Sequence, residues 1–321
     1  MIPTPETEIP VFFSIDNGYA PFLAVALKSA IANASPDRHY RAIILHQDLT
    51  EENRRRIAAL AAPNFPVEFV PMERGLEAIT DRMSNRLRCD YFTLTIYFRL
   101  FIPAMFPQYD KAIYIDSDVV VPGDLAELYD LELGDNLIAA CPDHSVVEVP
   151  ELARYMENAV GVDRYHYVNS GVLLMNLKAL REAQFDRHFL NLLTTYHFDC
   201  VAPDQDYLNA ICCGRILFLD PRWDAMPTEG KPPVQDVKII HYNLFSKPWC
   251  YDGIQYADEF WKYAQDSGYL EEIRAYKDHY SDEQKQSDAQ CLQLLVRRGE
   301  EIWQQDVTFK KLYESGVKIR L

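Results

Sequence analysis

Glycine is scarce in this chain, at 12 of 321 residues. Neither G-x-G-x-x-G nor G-x-x-x-x-G-K-[ST] occurs, so the dinucleotide-binding and P-loop ways of holding phosphate are not expected. Long apolar runs are also missing, because no segment approaches the ~18 residues that a membrane-spanning helix requires. The first residues lack the positive charge and apolar stretch of a signal peptide. We therefore expect a protein that is made in the cytoplasm and stays there.

Basic residues are few compared with acidic ones. Lys and Arg total 32 against 48 Asp and Glu, which gives a formal net charge of −16. This balance excludes a nucleic-acid backbone as the partner, since such binding depends on Lys and Arg that neutralise phosphates. A diphosphate ligand would have to be held by local cations.

The cysteines form no recognisable set. There are seven of them, an odd number, and no C-x-x-C spacing. Neither a disulfide framework nor a zinc site is indicated. We expect most of them to be small buried apolar residues.

The first quarter of the chain alternates strand and helix patterns. Strands are predicted over 11–15, 40–46 and 67–70, a helix over 21–33, and a charged helix after Thr50, which is a candidate cap together with Asp48. Such alternation is typical of an α/β fold with a parallel, nucleotide-binding half.

Strand and helix patterns continue beyond that point, and the C-terminal part of the sequence then shows only helical patterns. The predicted strands are 137–141, 171–175 and 238–240, and the predicted helices are 179–196 and 204–212. From about residue 254 the sequence has helical periods and no strand signals. We therefore expect a catalytic domain over 1–253 and a helical C-terminal region over 254–321.

An apolar run ends in two carboxylates at Asp116 and Asp118. The residues before them, 113–115, read as a buried strand, and open α/β sheets bind ligands beyond the carboxyl ends of their strands. Hard oxygen ligands suit Mg²⁺ or Mn²⁺, and these ions keep open positions for substrate phosphates. The motif therefore indicates a metal that binds a phosphate-bearing ligand such as a sugar nucleotide.

Two other interpretations fit the same motif. Asp-Ser-Asp is also a common side-chain-capped turn. An apolar strand followed by Asp-x-Asp also resembles haloacid dehalogenase-type phosphatases, in which Asp116 would be a nucleophile. Val120 stands where that family has Thr, which makes the phosphatase the weaker interpretation.

Arg99 is the single charge in an aromatic-rich apolar segment, 93–106. Burying a guanidinium without an anionic partner is costly. We therefore expect a carboxylate or a ligand to face Arg99.

Six ordered motifs closely resemble the family 8 retaining glycosyltransferases, which include bacterial lipopolysaccharide galactosyl- and glucosyltransferases and the glycogenins. The resemblance covers about residues 9–250. The motifs are FSIDNGYA at 13–20, YFRL at 97–100, YIDSD at 114–118, VNSGVLLMN at 168–176, DQDYLN at 204–209 and HYNLFSKPW at 241–249.

The resemblance implies a GT-A fold with Mn²⁺ or Mg²⁺ on the diphosphate of a UDP-sugar. Asp116, Asp118 and His241 would be the metal ligands, and Lys247 would contact phosphate. A neutral imidazole with carboxylates independently suits Mn²⁺. Without this context, a histidine after a strand is more often an ordinary structural residue.

The resemblance also implies which residues bind the UDP-sugar donor. Asp16 would accept from the uracil N–H, and Tyr19 would stack on the ring, although Tyr19 could equally be an ordinary aromatic at a helix start. Ser117 and Asn169 would also bind the donor.

Arg99, Asp204 and Gln205 would surround the transferred hexose, glucose or galactose, with Gln205 nearest the anomeric carbon. The implied reaction retains configuration. Because an amide is a poor nucleophile, we expect front-face transfer to a saccharide or other hydroxyl acceptor rather than a covalent intermediate.

Two positions depart from the family pattern. Leu244 stands where the family usually has Gly close to the diphosphate, so local phosphate contacts are expected to differ. Gly18 replaces a polar residue beside Tyr19. A catalytically silent relative that still binds a sugar nucleotide would share much of this sequence, and glycogenin-like self-glucosylation is a further alternative.

The last residues, 309–321, are locally basic on an acidic protein. A solvated helix end explains this, and weak contact with an anionic membrane surface is the second interpretation.

Overall fold

The computed structural model describes residues 7–72 and 94–321. A seven-stranded sheet in the order β3-β2-β1-β4-β7-β6-β8 is its centre, and β5 and β9 form a separate two-stranded ribbon. The strands are β1 (Glu8–Ile15), β2 (His39–His46), β3 (Val67–Pro71), β4 (Lys111–Ile115), β5 (Val119–Val120), β6 (Ile138–Ala140), β7 (Val172–Asn176), β8 (Ile216–Phe218) and β9 (Ile240–His241).

Helices flank this sheet. They are α1 (Ala20–Ala32), α2 (Glu51–Ala58), α3 (Ile102–Met105), α4 (Leu125–Tyr129), α5 (Pro150–Tyr155), α6 (Leu177–Glu182), α7 (Phe185–Tyr196), α8 (Pro203–Cys212), α9 (Ala257–Ala264), α10 (Leu270–Asp278), α11 (Asp282–Ile302) and α12 (Phe309–Glu314). The α/β class predicted from the sequence is confirmed.

The N-terminal half of the sheet is parallel, as the strand and helix alternation predicts. β1 pairs with β2 and with β4, and β2 pairs with β3, all in parallel. The Thr50 side chain caps α2 by accepting a hydrogen bond from the Asn53 N–H. Parallel strands bring their carboxyl ends to one edge, which places the end of β1 beside the end of β4.

The sheet becomes mixed at β7, which pairs antiparallel with both β4 and β6. The backbone N–H of Asp116 donates to the Gly171 carbonyl at 2.8 Å. The segment before β7 is thereby fixed beside the end of β4, so residues 168–171 face the same edge as Asp116 and Asp118.

Both faces of the sheet are buried. Along β1, Phe12 belongs to one apolar cluster and Phe13 to the other, because successive side chains of a strand point to opposite faces. Residues buried on both faces explain why the strands read as nearly continuous apolar runs.

Two predicted elements differ from the structure. The helix expected over 179–196 is two helices, α6 and α7, because Gln184 adopts φ 56° between them and interrupts the helical path. The strand expected over 238–240 lies at Ile240–His241, since it pairs there with β5.

The six cysteines in the described ranges are free, and four of them are buried, which agrees with the expectation of small interior residues. Cys89 and Thr93 lie outside the described residues.

The C-terminal region is helical after residue 257 and packs on the rest of the chain. α11 packs on α5, and α9 and α10 pack on α1. Ile319 is buried, and the Leu321 N–H donates to the Ile211 carbonyl at 3.0 Å. Within residues 7–72 and 94–321, no helix is both long and apolar enough to span a membrane.

Because of Asp206 in α8, we expect the free energy of unfolding to depend on pH. Asp206 accepts hydrogen bonds from the Tyr155 and Tyr167 hydroxyls at 2.7 and 2.6 Å. Burial outweighs these bonds and raises the pKa of Asp206 from 3.8 to about 6. Ionisation therefore destabilises the folded state progressively between about pH 4 and pH 6.

For Asp206→Asn we expect this pH dependence to disappear, because the amide does not titrate. A shift of about two pKa units corresponds to about 3 kcal/mol. The unfolding free energy of the wild type relative to the variant should fall by about that amount from pH 4 to pH 6.5. Urea denaturation across this range measures it, and a constant difference would contradict the raised pKa.

Candidate active site

The site lies at the edge where β1 and β4 end. A cavity of about 360 Å³ opens there, and each of the eleven residues singled out from the sequence lines it. These are Asp16, Tyr19, Arg99, Asp116, Ser117, Asp118, Asn169, Asp204, Gln205, His241 and Lys247. The fold thus brings together side chains that are up to 231 residues apart in the chain, 16 to 247.

Asp116, Asp118 and His241 form a cluster that could hold a metal ion. One ligand atom from each lies within 4.8 Å of the others. β4 delivers the two carboxylates, and the β5–β9 pairing, Val119 with His241, brings the imidazole to them.

Gly171 is the residue that leaves room for this cluster. A Cβ built there would lie 2.3 Å from the His241 ring and 2.8 Å from an Asp116 oxygen. Two carboxylates and an imidazole around such a space fit Mn²⁺ or Mg²⁺.

Lys247 supplies the local cation that the acidic chain needs. Its ammonium pairs with the Asp118 carboxylate and donates to the Tyr242 carbonyl at 2.6 Å. Burial opposes ionisation of Asp118, but Lys247 and His241 outweigh it and hold the pKa of Asp118 well below its usual range. Asp118 is therefore an ionised carboxylate beside a cation that could contact phosphate.

Asp224 orients His241 and was not predicted from the sequence. Its Oδ1 lies 2.9 Å from His241 Nδ1, and the His241 Nε2 faces Asp118 at 3.4 Å. The Asp224 carboxylate is fully buried. Burial would lower the pKa of His241, but the Asp224 and Asp118 carboxylates outweigh it and raise that pKa well above its ordinary value. Asp224 keeps a proton on Nδ1, so a metal would displace the proton from Nε2 and bind there.

For Asp224→Asn we expect Mn²⁺ affinity to fall by ~10–100-fold. The amide can donate to Nδ1, which would move the ring proton to Nε2 and remove the ligand lone pair. Electron paramagnetic resonance of free Mn²⁺ during titration with UDP present measures the change. Asp220→Asn, at a neighbouring exposed carboxylate, should retain wild-type affinity, and unchanged affinity in Asp224→Asn would rule out this orienting role.

Arg99 has the anionic partners that its burial requires. Its guanidinium contacts Asp116 at 2.8 Å and Asp204 at 3.3 Å, and it lies 4.3 Å from the centre of the Tyr114 ring. Burial alone would lower the pKa of Arg99, but the Asp116 and Asp204 carboxylates outweigh it and raise that pKa further. Arg99 therefore connects the Asp116, Asp118 and His241 cluster to the wall of the cavity that contains Asp204.

Asp143 is the second site residue that was not predicted from the sequence. It forms hydrogen bonds with two residues of that wall. Its Oδ2 accepts from the Asn169 and Gln205 amides, each at 3.0 Å. The Gln205 Oε1 in turn accepts from the Ser170 N–H at 3.0 Å. Gln205 is thus fixed at both ends of its amide, and its carbonyl is in use as a hydrogen-bond acceptor.

The other end of the cavity carries Asp16, Tyr19 and Ser117. Asp16 caps a short 3₁₀ turn by accepting from the Tyr19 N–H at 3.1 Å. Tyr19 is 38% exposed. Ser117 donates to the Ser14 carbonyl at 3.3 Å and tethers the two strand ends.

Leu244 adopts φ 52°, in the left-handed region that glycine adopts freely. It lines the cavity between His241 and Lys247. The backbone path expected of Gly is therefore kept with a leucine side chain, at a cost of about 1–3 kcal/mol in local strain.

The sequence of this chain is similar to those of known glycosyltransferases. The sequence profile described as "Glycosyl transferase family 8" matches residues 10–253. A putative glycosyltransferase of Haemophilus influenzae is 32% identical over 220 residues, 68% of this chain and 64% of that protein. The lipopolysaccharide 1,2-glucosyltransferase of Escherichia coli K12 is 25% identical over 256 residues, 74% of this chain and 72% of that protein.

Solved structures give the same result. A structure of the galactosyltransferase LgtC with donor and acceptor sugar analogues has a TM-score of 0.67 and 28% identity, over 80% of this chain and 96% of that one. The bifunctional glycosyltransferase WbbM has a TM-score of 0.72 and 25% identity, over 86% of this chain and only 53% of that one. The predicted GT-A fold is confirmed.

Proposed function

Because the chain belongs to glycosyl transferase family 8, we propose that it transfers glucose or galactose from a UDP-sugar to a hydroxyl acceptor with retention of configuration. The observation that most strongly supports this proposal is the cluster of Asp116, Asp118 and His241. It lies beside Lys247 in the cavity that Gln205 also lines. When bound there, Mn²⁺ or Mg²⁺ would act as a Lewis acid that stabilises the departing diphosphate.

The donor would lie along the cavity. Asp16 and Tyr19 would hold the uracil, by accepting from its N–H and by stacking on its ring. Ser117 would contact the nucleotide, and Lys247 would bind a phosphate oxygen as a charge-assisted donor. Asp116, a proposed metal ligand, accepts hydrogen bonds from the Arg99 guanidinium and the Tyr114 hydroxyl, each at 2.8 Å.

The sugar would lie against Asn169, Asp204 and Gln205. Asp204 and Asn169 are suited to accept from and donate to its hydroxyls. The acceptor oxygen would bond to the anomeric carbon on the face that UDP leaves. The bond from that carbon to the diphosphate oxygen breaks, and the acceptor proton passes to the departing diphosphate.

Gln205 supports this front-face course because its amide is already held by Ser170 and Asp143. Its part is to stabilise positive charge that develops at the anomeric carbon. We therefore expect Gln205→Ala to lower kcat by ~10–100-fold, with KM for the UDP-sugar nearly unchanged. Steady-state UDP release measures both constants. Complete inactivity together with a glycosyl adduct in the mass of the wild type would indicate double displacement.

The direct test of the function is incubation with Mn²⁺ and UDP-glucose or UDP-galactose, followed by UDP release. A silent relative would bind the nucleotide in a thermal-shift assay and release no UDP. A phosphatase would release inorganic phosphate instead. Intact mass after incubation detects self-glucosylation.

We also propose a cytoplasmic location and a role in bacterial cell-surface glycan synthesis, which the names of relatives such as the lipopolysaccharide 1,2-glucosyltransferase support. The catalytic domain would be 1–253, ending where the family match ends. Apolar residues of the C-terminal segment are buried, Phe309 and Ile319 among them. Weak membrane contact would therefore depend on cations such as Lys318, and binding to anionic vesicles tests it.

A further inference from the structure

The active-site cavity does not end at the sugar-binding wall. Its lining includes five apolar side chains that belong to one apolar cluster or pack against it, and we call this part of the cavity the apolar compartment. Tyr155 and Tyr167 also line the cavity, but their hydroxyls donate to Asp206. The five apolar side chains are Val146, Leu152, Met156, Val201 and Leu295. Four of these, all except Val146, are at most 6% exposed. The compartment is thus an internal extension of the reaction cavity rather than a surface patch.

The compartment adjoins the residues placed at the transferred sugar. Val201 lies two residues before α8, whose first turn carries Asp204 and Gln205. The Val201 N–H lies 3.3 Å from the Tyr155 hydroxyl, which donates to Asp206 of the same turn. The apolar lining therefore begins beside the first turn of α8, the turn that carries Asp204 and Gln205.

Its walls are fixed by close helix packing. α11 packs on α5, and Gly299 permits this, since a Cβ there would lie 2.9 Å from Leu152. Met156 begins a short π-helix, Met156–Val160, that follows α5. Leu295 belongs to α11, which lies outside the matched span 10–253. The C-terminal region thus adds a wall that the family match does not include.

From these observations we propose that the apolar compartment binds an apolar aglycone of the acceptor, an alkyl or aryl group carried next to the accepting hydroxyl. This inference rests on the proposed glycosyl transfer. Sugar hydroxyls against this aliphatic lining would lose hydrogen bonds to water without replacement, whereas an apolar group gains by leaving water. The donor itself has its polar partners elsewhere in the cavity.

The test compares methyl, phenyl and octyl β-D-galactopyranosides as probes, with the full chain, Mn²⁺ and UDP. Saturation-transfer NMR and titration measure binding without any turnover. We expect the phenyl or the octyl glycoside to bind at least ~10-fold more tightly than the methyl glycoside. The stronger of the two identifies an aryl or an alkyl aglycone. Equal affinities for all three, or no binding of any, would overturn the proposal.

A matched pair of variants locates the effect. Leu295→Gln should remove the preference, and Leu294→Gln, on the same helix but 38% exposed, should keep it. If Leu295→Gln does not fold, Leu295→Met provides the second variant, and its preference should shift between phenyl and octyl. A preference that stays unchanged in the Leu295 variants would place the aglycone elsewhere and overturn the proposal. UDP binding, measured separately, distinguishes this failure from failure of the proposed function.

Discussion

Asp118→Asn should reduce turnover by about 10³-fold and abolish Mn²⁺-dependent binding of UDP. The substitution removes a proposed metal ligand and the partner of Lys247 together. Charge stabilisation by a bound metal supplies several kcal/mol of the reaction barrier, which corresponds to a rate change of that size. Isothermal titration with UDP, with and without Mn²⁺, and UDP-release kinetics measure the two losses.

Asp110→Asn is the matched control. Asp110 directly precedes the opposite end of β4 and pairs with Arg181 at 2.9 Å, with 74% of its side chain exposed. This variant should keep wild-type turnover and Mn²⁺-dependent binding. Substantial Mn²⁺-dependent turnover in Asp118→Asn would mean that Asp118 does not bind the metal.

Arg99→Met should destabilise the protein by about 3–5 kcal/mol, because it leaves Asp116 and Asp204 without their shared cation. The guanidinium also donates to the Ser170 carbonyl and stacks on Tyr114, contacts that methionine cannot replace. Urea denaturation gives the change in unfolding free energy.

An exposed ion pair provides the comparison. Arg38→Met removes the contact to Asp130, whose side chain is 56% exposed, and should cost less than about 1 kcal/mol. Arg99→Lys keeps the charge and loses the planar fork, so we expect an intermediate loss. A loss in Arg99→Met no larger than in Arg38→Met would show that the buried carboxylates do not depend on Arg99.

Residues in motifs could be predicted from the sequence, and residues that support them could not. Asp116 and Asp118 follow a buried strand in a pattern with a direct chemical meaning. The burial of Arg99 required an anion, and the structure supplies two. Such residues can be predicted because the period of a strand and the spacing of a motif depend only on neighbouring positions in the sequence.

Asp143 and Asp224 carry no such signal. Each is a single aspartate in an irregular segment, and its role arises only when distant segments meet, Asp224 with His241 and Asp143 with Gln205. The break in the predicted helix at Gln184 was missed because the local pattern does not mark it: Gln184 is exposed and adopts φ 56° although it is not a glycine. Leu295 belongs to the reaction cavity only through packing of α11 on α5.

We propose that Asp116, Asp118 and His241 bind one divalent ion that carries the diphosphate of the donor. A crystal structure with Mn²⁺ and UDP, with anomalous diffraction recorded for manganese, tests it most directly. We predict one anomalous peak bonded to a carboxylate oxygen of each aspartate, to His241 Nε2 and to diphosphate oxygens. UDP bound in the cavity with no manganese among these three side chains would mean that they do not form the metal site.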